Sequence, residues 1–218
     1  MTLKLVIGNK NYSSWSMRPW LALRASNIPF EEIFISLYTG TADKQRILDF
    51  SRAGKVPILI DGDLAIWDSL AIIEYIAERF PEKRLWPEHP VQRAHARSVS
   101  AEMHSGFAAL RNECGMNLHR PIRAIELSDE ARANIARVEE IWADCRERYG
   151  KSGPYLFGAF SAVDAMFAPV VHRFRTYAVA VRKETLAYMD TMMTLPAFAE
   201  WTKAGLAETI VIEKFETP

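Results

Sequence analysis

The spacing of apolar residues changes character about a third of the way along the chain. Leu3-Lys4-Leu5-Val6-Ile7 is a short β-prone run, followed by a polar stretch over 8–14. From 15 to 26, Met17, Trp20, Leu21 and Leu23 fall at helical spacing. Residues 30–37 predict a second strand and 42–50 a short helix. Two apolar runs, Val56-Pro57-Ile58-Leu59-Ile60 and Leu64-Ala65-Ile66-Trp67, flank Asp61-Gly62, a hairpin signal because glycine supplies the positive φ such turns need. A helix over 68–80 follows, with Leu70, Ile73, Ala77 and Phe80 on one stripe, Asp68 and Ser69 at its start and Pro81 as its stop.

This order is βαβ followed by ββα, an α/β unit over 1–81. Residues 82–90, rich in proline, predict a linker. Over 91–218 the strand signals nearly vanish. A long helix is expected over 91–111, and another runs from a Ser128 cap to Gly150 with Ile135, Val138, Trp142 and Cys145 at helical spacing. Ser161 and Asp164 form a capping pair before a helix over 165–178, and two more helices follow over 183–195 and 196–207. The second part is predicted to be all-helical.

Composition narrows the chemistry. Of 218 residues 49% are hydrophobic, and 27 basic side chains balance 27 acidic ones without a basic stripe, which argues against a nucleic-acid partner. No apolar run reaches the ~18 residues of a membrane span, and the start of the chain turns polar too soon for a secretory leader. Cys114 and Cys145 have neither disulfide-framework nor metal-ligand spacing, so a cytoplasmic protein without a metal is expected. All five histidines (His89, His95, His104, His119 and His172) lie outside the α/β part, which removes a histidine base from a site built there. Gly150-Lys151-Ser152 echoes the end of a phosphate-binding loop, but it follows a helix and Cys145 replaces the loop's first glycine.

The specific signals are Lys55-Val56-Pro57, the run Asp68-Ser69-Leu70-Ala71-Ile72-Ile73-Glu74-Tyr75, and Ser161-Ala162-Val163-Asp164. With the βαβ-ββα unit and the helical second part, they resemble the glutathione S-transferase superfamily over essentially the whole chain. Ser13-Ser14-Trp15-Ser16-Met17-Arg18 is similar to the SSCSWR motif of the zeta class, which includes maleylacetoacetate isomerases. Trp15 stands where zeta proteins carry cysteine, and Asp68 where they carry glutamine. The resemblance implies a thioredoxin-like N-terminal domain, an all-α C-terminal domain, a homodimer, and glutathione as co-substrate for a small-molecule electrophile.

It also implies roles for residues. Ser13 would serve the glutathione sulfur, with Ser14 the alternative and Ser16 a helix-start residue. Val56, held extended by Pro57, would offer its backbone to the tripeptide, and Pro57 is expected to be cis. Ser69, at a helix N-terminus, suits the γ-glutamyl carboxylate, Asp68 the ammonium group, and Lys55 the glycine carboxylate. Asp-Ser also reads as plain N-capping, and Lys55 as a solvated side chain. A free thiol has a pKa of about 8.5, and lowering it by ~2 units takes ~2.7 kcal/mol of preference for the anion. One hydroxyl bond to a charged acceptor contributes ~1.5–3 kcal/mol and a helix N-terminus ~0.3–1 kcal/mol. The two suffice without histidine or metal. On the helical side, His104, Phe107 and Arg111 are expected on one face of the 91–111 helix, lining a substrate pocket that Trp15 closes, while His104 also reads as a surface or core histidine and Arg111 as a structural ion-pair partner. Conjugation, glutathione-dependent cis–trans isomerisation and non-catalytic glutathione binding all remain open at this point.

Overall fold

The computed structural model describes residues 2–38 and 40–216. Strand β1 (Leu3–Ile7), helix α1 (Ser14–Ala25) and strand β2 (Phe30–Phe34) form the expected βαβ unit, with β2 parallel to β1. Helix α2 (Thr41–Phe50) leads into β3 (Ile58–Asp61), antiparallel to β1 with Leu5 opposite Leu59. A hairpin then gives β4 (Leu64–Ile66), turning at Gly62 with φ +60°. The strand order is β2-β1-β3-β4, and α3 (Ser69–Arg79) completes the unit.

Helix α1 is enclosed on nearly every side. Its four periodic positions, Met17, Trp20, Leu21 and Leu23, are buried, but so are Ser14, Ser16, Arg18, Pro19 and Ala22. The sheet covers one side and helix α7 (Ala162–Thr176) the other, so one apolar core runs from Leu5 and Ile7 through Met17 and Trp20 to Phe167 and Phe174.

The helical part holds α4 (Pro90–Ser105), α5 (Ala108–Glu113), α6 (Asp129–Tyr149), α7, α8 (Lys183–Thr194) and α9 (Pro196–Leu206). One expectation needs correcting. The helix expected over 91–111 is broken: Gly106 ends α4 in an extended conformation, where a Cβ would lie 2.8 Å from the Glu102 carbonyl oxygen. Phe107 then turns left-handed at φ +59° and starts the short α5. Within the stretch 82–90, Leu85 and Trp86 are buried, and the Leu85 carbonyl accepts from the Ala162 N–H at 2.8 Å.

The local signals of the second part hold. The Ser128 hydroxyl accepts from the Ala131 N–H, and Gly150 caps the end of α6. The capping box of α7 is complete. Asp164 accepts from the Ser161 N–H and hydroxyl at 2.9 Å, the Leu156 N–H at 3.1 Å and the Tyr188 hydroxyl at 3.0 Å. Burial pushes the Asp164 carboxyl up to about 6 against the pull of those donors. Among the described residues no helix is long and apolar enough to cross a membrane.

The loop between β1 and α1 is clamped by distant parts of the chain. Glu208 accepts from the backbone N–H groups of Lys10 and Asn11 at 2.7 and 3.1 Å, and Trp201 donates to the Lys10 carbonyl at 3.1 Å. The Asn11 side chain accepts from the Leu118 N–H at 2.6 Å. Gly205 allows this approach, since a Cβ there would lie 3.2 Å from the Asn11 nitrogen.

His172, buried in α7, stacks on Phe198 at 4.3 Å, and its Nε2 meets the Thr202 hydroxyl at 3.2 Å. Burial, and then the charge of Arg175, lower its pKa to about 3. The unfolded imidazole takes up a proton below about pH 6.5, and the fold refuses it until about pH 3. This histidine therefore costs stability progressively as pH falls through that window. Comparing urea unfolding of wild type and His172→Phe at pH 7 and pH 5 should show the variant gaining about 2 kcal/mol relative to wild type at the lower pH.

Candidate functional site

The N-termini of α1 and α3 are brought together by one residue of α4, His104. Ser13 is the N-cap of α1: its oxygen accepts from the Ser16 N–H at 3.3 Å and its hydroxyl donates to the Ser16 oxygen at 2.7 Å. Ser16 also accepts from the Gly8 N–H at 3.2 Å, which ties the end of β1 to the first turn of α1. Ser14 is buried as well, and its hydroxyl oxygen accepts from Arg173 Nη2 on α7 at 3.2 Å.

At α3, Asp68 is the N-cap and accepts from the Leu70 N–H at 3.0 Å. Its other oxygen lies 3.1 Å from His104 Nε2. The His104 ring packs edge-on against Trp15, with centroids 5.4 Å apart. A chain of contacts, Asp68 to His104 to Trp15, thus joins the start of α3 to the start of α1. Ser69 is fully buried, and its hydroxyl has no hydrogen-bond partner among the described residues. Leaving such a group unpaired costs about 1–3 kcal/mol. The Val56-Pro57 peptide bond is cis, as expected, and the β1–β3 ladder ends at Ile58, just beyond this pair. Lys55 is exposed.

The expected substrate-side residues part company. Trp15, His104 and Arg111 cluster, with the Arg111 guanidinium 5.5 Å from the Trp15 ring and one of its nitrogens donating to the His104 carbonyl at 3.0 Å. Phe107 does not join them. The break at Gly106 turns it into the main apolar core, where it is buried.

Two arginines carry more of the site's electrostatics than the sequence pattern suggested. Arg18 is 1% exposed, and its guanidinium lies 4.3 Å from the Trp15 ring centroid. Burial, then the neighbouring charges of Arg173 and Arg111, lower its pKa to about 9, while Asp68 acts the other way. Arg173, also buried, donates to the Arg111 carbonyl at 3.1 Å and to the Cys114 carbonyl, besides Ser14. Burial lowers its pKa to about 10. One signal for Arg18 was present, a charged residue among Met17, Pro19, Trp20, Leu21 and Ala22. Arg173 had none, as its partners come from elements far away in sequence. Among the described residues no group of three or more His, Cys, Asp or Glu is placed to hold a metal ion. Burial raises the Cys114 and Cys145 thiols to about 11 and about 12.

Two family models match the chain: glutathione S-transferase, N-terminal domain, over residues 12–79, and glutathione S-transferase, C-terminal domain, over residues 125–204. A probable maleylacetoacetate isomerase of Caenorhabditis elegans is 38% identical over 100 residues, which is 46% of this chain and 46% of the relative, so the match spans about half of that protein. Glutathione S-transferase Z2 of Arabidopsis thaliana is 27% identical over 201 residues, covering 87% of this chain and 88% of the relative. Among solved structures, a glutathione transferase homolog from Burkholderia gl BGR1 with bound glutathione superposes with a TM-score of 0.73 at 20% identity, over 95% of this chain and all of that one. This last likeness shows a shared fold.

Since the Ser69 hydroxyl has no partner to lose, Ser69→Ala should leave stability unchanged within about 1 kcal/mol or raise it. Chemical denaturation of the two proteins checks this. A larger loss would mean that the hydroxyl is bonded in the fold.

Proposed function

The chain belongs to the glutathione S-transferase superfamily, and from that premise we propose that it is a transferase in which a serine hydroxyl at the N-terminus of α1 holds the glutathione thiolate for attack on a small electrophile. The observation that carries this reading is the unpartnered Ser69 hydroxyl, fully buried at the start of α3 and linked through Asp68, His104 and Trp15 to the serines at the start of α1. A helix N-terminus with an unspent hydroxyl suits a carboxylate. The γ-glutamyl carboxylate of glutathione fills that requirement, Asp68 lies beside it for the ammonium group, and Lys55 and Val56 serve the rest of the tripeptide.

The sulfur then falls to Ser13. Its oxygen keeps the Ser16 N–H whichever way its own hydrogen points, and Ser16 retains the Gly8 N–H. Swinging the hydrogen from Ser16 to a thiolate exchanges a neutral bond of about 1 kcal/mol for a charged one of ~1.5–3 kcal/mol. Ser14 is the second candidate: with Arg173 donating to its oxygen, its own hydrogen is left to give. The thiolate electron pair forms the carbon–sulfur bond. In a substitution the leaving group departs with its bonding pair, and in an addition the resulting carbanion takes a proton from water.

The nematode relative named as an isomerase favours a second reading, in which glutathione adds, the carbon–carbon bond rotates, and glutathione is eliminated again. Thiol titration during turnover separates the two, because conjugation consumes glutathione and isomerisation regenerates it. A protein that retains glutathione yet turns over no electrophile would overturn both readings and leave a binding role.

Ser13→Ala should raise the pKa of the bound thiol by ~1–2 units and slow conjugation roughly 10–100-fold. Ultraviolet titration of the bound thiolate reads the first effect directly. If Ser14→Ala shifts the thiol and Ser13→Ala does not, the sulfur belongs to Ser14.

A further inference from the structure

The residue before Ser13 is tied to the far end of the chain. Tyr12 is buried, and its hydroxyl donates to Glu216 Oε1 at 2.5 Å while accepting from the Ile212 N–H at 3.3 Å, partners 204 and 200 positions away. Phe215 lies against the Tyr12 ring, with centroids 5.6 Å apart. Asn117, buried in the segment after α5, fastens the same stretch from its other side. Its Nδ2 donates to Glu216 Oε1 at 3.1 Å and to the Phe215 carbonyl at 3.3 Å. Residues 212–216 thus lie across Tyr12 as a strap.

Tyr12 and the serines after it cannot move independently. The N–H groups of Tyr12 and Ser13 both donate to the Asn9 carbonyl, at 3.1 and 2.7 Å, and the Tyr12 carbonyl accepts from the Ser14 N–H at 3.0 Å. Glu208 secures Lys10 and Asn11 before this turn, and Arg173 holds Ser14 at its far end. Tyr12 is the side chain that fastens the middle. The fastening matters most when Ser13 gives its hydrogen to a sulfur, because the 2.7 Å bond to the Ser16 oxygen is then surrendered. Packing does not call for the phenol: phenylalanine would fill the same space with no hydroxyl to satisfy. Burial, then the bond to Glu216, raise the Tyr12 pKa, so the phenol keeps its proton and the carboxylate keeps its donor.

We infer that Tyr12 and Glu216 are positioning residues for the sulfur: the bond between them fixes the turn that presents Ser13 and Ser14, and neither residue touches glutathione. The inference rests on the function proposed above. Displacing a reacting group by about 1 Å costs up to about 100-fold in rate, so a loosened turn is felt in catalysis before it is felt in binding.

Tyr12→Phe and Glu216→Ala should each raise the pKa of the bound thiol by about 0.5–1 unit and lower kcat about 5–20-fold, with KM for glutathione within about two-fold of wild type. The double variant should be no worse than either single one, because the two side chains act through one bond. Glu216→Gln keeps an acceptor oxygen and should restore most of the wild-type value. Ultraviolet titration of the bound thiolate and steady-state kinetics read these effects. A bond that serves stability alone would lower the urea midpoint and leave the bound thiol unmoved; that result, or additive losses in the double variant, overturns the inference. Should Tyr12→Phe not fold, Glu216→Ala, at an exposed position, decides. Amide hydrogen exchange without glutathione separates this inference from the transferase reading. Faster exchange at Tyr12 and Ser13 in Glu216→Ala, with α7 unchanged, supports the strap, and in a protein that ignores glutathione it is then the transferase reading that falls. Unchanged exchange at those two amides overturns the strap itself.

Discussion

The join between the helical part and the start of α1 depends on a guanidinium taken out of water. Arg173 reaches from α7 to the carbonyls of Arg111 and Cys114 at the end of α5, and to the Ser14 hydroxyl in the first turn of α1. The carbonyls at the end of a helix carry partial negative charge and lack intrahelical donors, so a cation is favoured there. Once buried, the charge is held by these three acceptors, and withdrawing any of them leaves a desolvated donor unpaired. The helical part is thereby locked to the residues that begin α1, and the serines are fixed from the side facing the bundle.

The opposite side is fixed by backbone. Glu208, Trp201 and Asn11 gather the loop over 8–13 onto α9 and the segments after α5 and α9, each bond pairing a side chain with a main-chain group. A loop bounded in this way holds Ser13 without help from a ligand. In the function proposed above this matters, since ordering the hydroxyl at the moment of binding would subtract from the gain of a charged hydrogen bond.

What the sequence reveals follows the range of the interactions involved. The hairpin at Gly62, the Ser128 cap and the Ser161–Asp164 box depend on residues within a few positions of one another, and they are readable as written. The break after α4 is not, because His104, Phe107 and Arg111 keep helical spacing across it, and it is Gly106 against the Glu102 carbonyl that ends the helix. The cap role of Asp68 is local and legible, whereas its contact with His104 spans two halves of the chain. The motif from Ser13 to Arg18 marks the first turn of α1. The state of Arg18, donors unspent inside the protein, belongs to tertiary structure alone.

Among the described residues the Ser69 hydroxyl at the start of α3 and two nitrogens of Arg18 in α1 have no hydrogen-bond partner. Each lowers the stability of the empty fold. A hydroxyl without a partner is replaceable by alanine, and a guanidinium without one by methionine, at no loss to packing. Both are donors left without an acceptor among the described residues. The thiolate of the function proposed above would need the same surroundings, because helix N-termini and guanidiniums that favour a carboxylate also favour an anionic sulfur over a thiol. Under the function proposed above a neutral serine therefore suffices at the sulfur: the helix N-termini and guanidiniums supply the positive field, and the hydroxyl has only to add direction to it.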